Sequence, residues 1–263
     1  MSRVLVICHW RLGDIVANLP AARFLAESGH QVDFCCYRQY HSIFGTVSYC
    51  RPVGPEALRR QGDYARVYTL EITRLEYDAW RASRKKWRDY VYGRYPELEP
   101  ARLKPPFFDR MPSVAEYQLP EHYNLASPFG ISQVTVVHAG WFRQQCESLS
   151  PGPWYVLTDR RIGRCHDWGT PLHALSLDHL PGLIAGASVF VTINSAPNII
   201  ASGVRASWYK VDEPGFHGQD NYEAPGQIIL QQPRELERRS WRFWVHYWRR
   251  KLMGIDTSSD AGS

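Results

Sequence analysis

A carboxylate stands at a sharp boundary in the sequence. The turn Arg11-Leu12-Gly13-Asp14 separates the apolar run Val4 to Cys8 from a stripe made of Ile15, Val16, Leu19, Ala22 and Leu25. A β-branched run of strand length followed by a 3.6-residue period reads as strand, turn, helix. Asp14 then stands where a helix N-cap should stand, and its carboxylate can accept from the first free N–H groups. The same carboxylate, at the carboxyl end of the first strand of an α/β sheet, points into the crevice where such folds bind ligands. Gly13 admits backbone conformations that a side chain penalises. Two later turns have the same setting: His138-Ala139-Gly140-Trp141-Phe142-Arg143, and Asn194-Ser195-Ala196-Pro197. A GxSxG elbow, a P-loop and a GxGxxG after a strand are all missing, so hydrolase, kinase and dehydrogenase readings lose their main support. The ten histidines show no metal-ligand spacing. His166-Asp167 and His173 read as surface residues rather than ligands.

The elements that would position these turns alternate. After the strand over Val4 to Cys8, strands are expected at Gln31 to Tyr37, Ser48 to Val53 and Ala65 to Ile72, with a short helix at Pro55 to Gln61. Pro20 inside the first helical pattern predicts a kink, or a turn before a second helix at Ala21. Tyr77 to Tyr95 reads as one helix, with Trp80 and Trp87 on one face among Arg81, Arg84, Lys85, Lys86 and Arg88. Leu98 to Pro128 is Pro-rich, and its latter part reads as an interdomain connection. Gln133 to Ala139 is then the first strand of a second domain and Trp154 to Thr158 its next. Leu177 to Ala185 reads as a helix, Ser188 to Ile193 as a strand, Ile199 to Ser202 as the start of another helix and Ala206 to Val211 as another strand. Strands alternating with helices argue for parallel sheets joined by right-handed crossovers. Pro233 to Leu252 is expected to be a basic, Trp-rich helix, and Thr257 to Ser263 a disordered tail.

Trp10-Arg11-Leu12-Gly13-Asp14-Ile15-Val16 followed by Leu19-Pro20-Ala21 resembles the N-terminal signature of glycosyltransferase family nine, the ADP-heptose:lipopolysaccharide heptosyltransferases. Leu175 to Ala187 and then Val189 to Pro197 resemble that family's second signature. The resemblance implies an α/β GT-B fold: two Rossmann-like domains with parallel sheets facing a central cleft. It makes 1–128 an acceptor domain and 129–232 a sugar-nucleotide domain, with 233–252 bracing the first domain and 253–263 a tail. It also implies an inverting, metal-independent transfer with no cofactor beyond the nucleotide-sugar co-substrate. Asp14 is then the catalytic base. Arg11 and Gly13 lie beside the acceptor, with Trp80, Arg84 and Lys85 as a docking surface. Donor contacts fall to His138, Gly140, Trp141, Arg143, Asn194, Ser195, Ala196, Lys210 and Glu213. Helix-start N–H groups at the second turn would cradle the pyrophosphate.

The second signature departs from the pattern. Asn194 replaces its Asp, Ala196 its Gly and Ile199 its His. The usual Lys after the first strand of that domain is absent, leaving Arg143 as the best substitute cation and Lys210 as runner-up.

Composition sets wider bounds. The chain has 263 residues, 44% hydrophobic and 22% charged, as a soluble globular protein has. A net charge of +5 suits an anionic partner without choosing one. The six cysteines form no CxxC pair and no signal peptide is read before Arg3, so a cytoplasmic protein is expected, either free or seated peripherally on the inner membrane. No apolar run is long enough to span a bilayer. The basic aromatic segments fit an acceptor that is a lipopolysaccharide-type or other surface saccharide at a membrane. They also fit a hydroxymethylated pyrimidine in DNA, which would have to be flipped out to be reached. A non-catalytic sugar-nucleotide-binding protein is the reading from a different class. No protein partner is implied.

Overall fold

The computed structural model describes residues 1–9, 11–128, 137–158, 168–212, 222–233 and 236. Two parallel sheets organise them. In the first, β1 (Arg3–Ile7) pairs with β2 (Gln31–Cys35) and with β4 (Arg66–Thr69), and β3 (Arg51–Val53) flanks β2. The order is β3-β2-β1-β4. The second sheet contains β5 (Asn124–Ser127), β6 (Trp154–Thr158), β7 (Thr170–His173), β8 (Val189–Ile193), β9 (Trp208–Asp212) and β10 (Gln227–Gln231). Its order, β10-β9-β8-β5-β6-β7, is that of a dinucleotide-binding fold. Each sheet therefore has a place where the winding reverses, between β1 and β4 in the first and between β5 and β8 in the second. Ligands of open α/β sheets bind beyond the carboxyl ends of the strands at such points.

The helix α1 (Leu12–Glu27) runs unbroken through Pro20, so the expected kink is absent. Ile15 to Ala22 are all buried, and packing on every side holds the helix where the proline withholds a hydrogen bond. Burying Ile15, Val16 and Leu19 contributes roughly 1.5–3 kcal/mol each. The expected long basic helix divides into α2 (Tyr77–Ser83) and α3 (Trp87–Tyr92), because Arg84 adopts a left-handed conformation at φ 56°. The helix α4 covers Ala139–Leu149, α5 Leu180–Gly186 and α6 Ala196–Val204.

Three strands, β5, β7 and β10, stand where none was expected. β5 stands at the centre of the second sheet, inside the stretch read as a connection and ahead of residue 129, where the second domain was expected to begin. The strand expected at Gln133 to Ala139 falls mostly outside the described residues; Val137 and His138 carry no regular structure and Ala139 opens α4. β7 and β10 had no counterpart in the sequence reading. β5, β7 and β10 are short or polar, so their patterns are weak. The C-terminal helix over 233–252 and the tail lie almost wholly outside the described residues. One cluster of buried side chains runs from β1 and α1 through α5 and α6 to Phe190 and Trp208 of the second sheet. Among the described residues no helix is long and apolar enough to cross a membrane.

Candidate active site at the meeting of two turns

The two signature turns lie at the two winding reversals, and they touch. The first joins β1 to α1; the second joins β8 to α6. A Cβ built on Gly13 would lie 3.4 Å from Ile199 Cδ1 and 3.7 Å from both the Cα and N of Ala196. Segments almost two hundred residues apart thus bring Asp14 to the start of α6.

Asp14 is not the N-cap. Arg11 holds that position in extended backbone, with an exposed side chain, and its carbonyl accepts from Ile15 N–H at 3.0 Å. Asp14 sits in the first turn, where the positive end of the helix stabilises a carboxylate. Its main-chain carbonyl accepts from buried Asn18 Nδ2 at 3.0 Å, and the same nitrogen donates to Leu70 O at 2.8 Å. Asn18 thereby ties the Asp14 turn to the exit of β4. Residues just past that exit, Ile72, Thr73, Arg74, Tyr77 and Asp78, line a cavity of about 310 Å³.

His9 adds a second tie. Its main-chain N–H donates to Glu71 Oε2 at 2.6 Å, and its Nδ1 lies 3.1 Å from Glu71 Oε1. Its Nε2 lies 3.4 Å from Cys35 Sγ, which also reaches the Gly54 carbonyl at 3.4 Å. The Cys35 sulfur and then the Glu71 carboxylate, each accepting from the ring, raise His9 to about 9. The imidazole is therefore the charged form at neutral pH.

At the second turn, Ser195 takes the N-cap position of α6 but its hydroxyl makes no capping bond. Its carbonyl accepts from Asn198 N at 3.0 Å. Pro197, within the first two helical positions, has no N–H to offer. Fewer main-chain donors remain for an anion than the sequence suggested. Asn194 Oδ1 accepts from Tyr222 N at 3.1 Å, which orients its amide. Ala196 faces Gly13, and Ile199 fills with an apolar contact the place where the resemblance expects a histidine.

The two candidate cations differ sharply. Lys210 is fully buried on β9 beside Thr192 of β8, with Nζ 2.8 Å from Asp212 Oδ1. Arg143 lies on the exposed side of α4, 2.7 Å from Glu147. His138 caps α4: Trp141 N–H donates to its Nδ1 at 3.1 Å, which puts the proton of the neutral ring on Nε2. Its own N–H donates to Gln232 Oε1 at 3.0 Å, and Gln232 N–H to Asp212 O at 3.2 Å. A chain of bonds thus leads from His138 to the Lys210 strand. Gly140 is exposed, and Trp141 packs on the second-sheet core.

Trp80 does not stand on a docking face. It is 3% exposed, and its Nε1 donates to Lys85 O at 3.1 Å. Arg84 and Lys85 are exposed. Trp10 and Glu213 lie outside the described residues. Glu71, Asn18 and Gln232 were missed by the sequence reading. Only a polar residue beside or within an apolar run hinted at them. Among the described residues no group of three or more His, Cys, Asp or Glu side chains could hold a metal ion.

Compared by sequence, the chain matches no family model and no curated protein. Its fold is similar to that of solved glycosyltransferases. The glycosyl transferase family 9 structure from Veillonella parvula DSM 2008 aligns with TM-score 0.65 at 10% identity, covering 98% of this chain and 91% of that one. The E. coli ADP-heptose lps heptosyltransferase II aligns with TM-score 0.64 at 11% identity, over 97% and 99%. E. coli heptosyltransferase WaaC, solved with ADP, aligns with TM-score 0.56 at 14% identity, over 96% and 100%. At these identities the likeness establishes the shared two-sheet α/β fold.

Proposed function

We propose that the chain is an inverting glycosyltransferase of the heptosyltransferase kind, drawing on a nucleoside-diphosphate sugar. The observation that carries the reading is the contact of Gly13 with Ala196 and Ile199, which sets Asp14 beside the start of α6. Asp14 takes the acceptor hydroxyl proton as that oxygen attacks the anomeric carbon from the face opposite the diphosphate. The bond from the anomeric carbon to the diphosphate oxygen breaks, and the nucleoside diphosphate leaves with its electron pair. Lys210 and the Ala196 N–H supply the positive field for that charge. No metal is invoked. The fold shared with an ADP-bound heptosyltransferase supports a nucleotide-sugar donor. Asn194, Ala196 and Ile199 alter the donor turn, so the sugar is to be sought beyond ADP-heptose.

The acceptor is a lipopolysaccharide-type or other surface saccharide. Burial of Trp80 takes that ring out of any surface on which a flipped DNA base would stack, which favours the saccharide. The test pairs nucleotide binding with transfer. A nucleoside diphosphate at about 100 times its Kd should stabilise the protein by roughly 2.7 kcal/mol, with EDTA present. Asp14→Asn should keep that shift while transfer, followed by mass spectrometry of saccharide acceptors, falls about 10²–10⁴-fold. Wild-type turnover by the variant would remove Asp14 from the reaction.

A further inference from the structure

The Glu71–His9 pair sits one strand-exit away from the base, and nothing in the transfer chemistry above uses it. Glu71 is 8% exposed and spends both carboxylate oxygens on His9, one on the main chain and one on the ring. Its main-chain carbonyl accepts from Arg94 Nη2 at 2.7 Å, and Arg94 Nη1 lies 2.8 Å from Glu76, the residue that in turn accepts from Thr73 N–H and Oγ1. The exit of β4 is therefore rigid, and His9 is fastened to it. Asn18 fastens Asp14 to the same exit through Leu70.

The carboxylates of Asp14 and Glu71 also act on one shared buried group. The buried Cys8 thiol is pushed up by desolvation first, then by Asp14 and then by Glu71. Two like charges in one site disfavour each other's ionised form. A cation locked to Glu71 cancels one of them.

We propose that His9 and Glu71 are positioning residues for Asp14: the pair pins the turn that carries the base onto the exit of β4, and the imidazolium neutralises the Glu71 carboxylate, which would otherwise oppose the ionisation of Asp14. The proposal rests on the reading of Asp14 as the base. Among the described residues His9 meets Glu71 just past β4, Cys35 of β2 with the Gly54 carbonyl behind it, and the Tyr37 ring. Among these His9 is the cation on the Glu71 carboxylate, while the Arg94 guanidinium bonds the Glu71 main-chain carbonyl and Glu76.

The test has two arms. In the first, the ring protons of His9 are followed by NMR across pH in the wild type, Glu71→Gln and Asp14→Asn. Glu71→Gln should lower the midpoint by one unit or more, and Asp14→Asn should lower it by a smaller, resolved amount, because electrostatic coupling is reciprocal. In the second, transfer is measured across pH with His9→Gln. Its kcat should fall about 10–100-fold, as for a displaced catalytic group, with the donor KM within about twofold. The acid limb of its kcat/KM profile should move to higher pH. A residue that only packs would lower the melting temperature and leave the limb in place. The proposal is overturned if His9 titrates independently of both carboxylates, or if His9→Gln keeps the wild-type limb and kcat. Should His9→Gln fail to fold, the wild-type and Asp14→Asn titrations decide alone. Should no donor be turned over by the wild type, the transferase reading fails, while a coupled His9 titration still upholds the electrostatic link.

Discussion

Gly13 is the point where the two halves of the site bear on each other, and substitutions there measure that contact directly. The space around it is specific. A Cβ would meet Ile199 Cδ1 at 3.4 Å and the Ala196 main chain at 3.7 Å, ordinary van der Waals separations. Gly13 is not among the glycines with positive φ and lies inside α1. Gly13→Ala should therefore stabilise. A buried methyl contributes about 0.8 kcal/mol, and the restricted unfolded chain contributes roughly 0.4–1 kcal/mol more. At about 2–4 °C per kcal/mol the melting temperature should rise by roughly 2–7 °C. Gly13→Val places two further methyls beyond a Cβ already in contact with a side chain and a main chain. α6 must shift, at a cost of about 1–3 kcal/mol. The two variants should move the melt in opposite directions in differential scanning calorimetry. If alanine destabilises, or valine melts with the wild type, the turns do not meet as described and the placement of Asp14 beside α6 loses its basis.

Three further outcomes follow from other parts of the site. His9 has a folded value near 9, above its ordinary 6.5, so its stabilisation is complete below about pH 6.5 and is lost as pH rises through 9, worth up to roughly 3 kcal/mol; thermal melts of Glu71→Gln, which leaves the Cys35 contact in place, should show a shallower decline ending at lower pH, and an unchanged slope would refute it. Lys210→Met should weaken nucleoside-diphosphate binding about 10–100-fold by calorimetry, in keeping with hydrogen bonds to charged groups, while Arg143→Ala should stay within about twofold; the reverse ranking would move the anion site to α4. Arg84→Gly relieves a left-handed backbone at φ 56° and should raise stability by up to about 1 kcal/mol. If it also weakens saccharide acceptor binding, Arg84 acts through its charge rather than its conformation.

Much of the fold was legible because its signal is local. The strand, turn and helix from Arg3 to Leu25 follow from a β-branched run and a 3.6-residue apolar period, and the structure holds them close to those bounds. The parallel first sheet, the β8 strand and the turn at Asn194 were readable for the same reason. Local signals failed where many weak contacts decide. The central strand β5 is only Asn-Leu-Ala-Ser, and it is a strand because β6 and β8 complete its hydrogen bonds on both sides. α1 passes Pro20 because burial around the whole helix outweighs one missing bond. Lys210 and Arg143 are both cations in the sequence. Only the register of β9 on β8 buries one beside Asp212 and leaves the other in solvent. The ties from Glu71 to His9 and from Asn18 to Leu70 span 62 and 52 residues. No periodicity or motif reports a pairing at that separation, since it exists only once the parallel pairing of β1 with β4 has set their exits side by side.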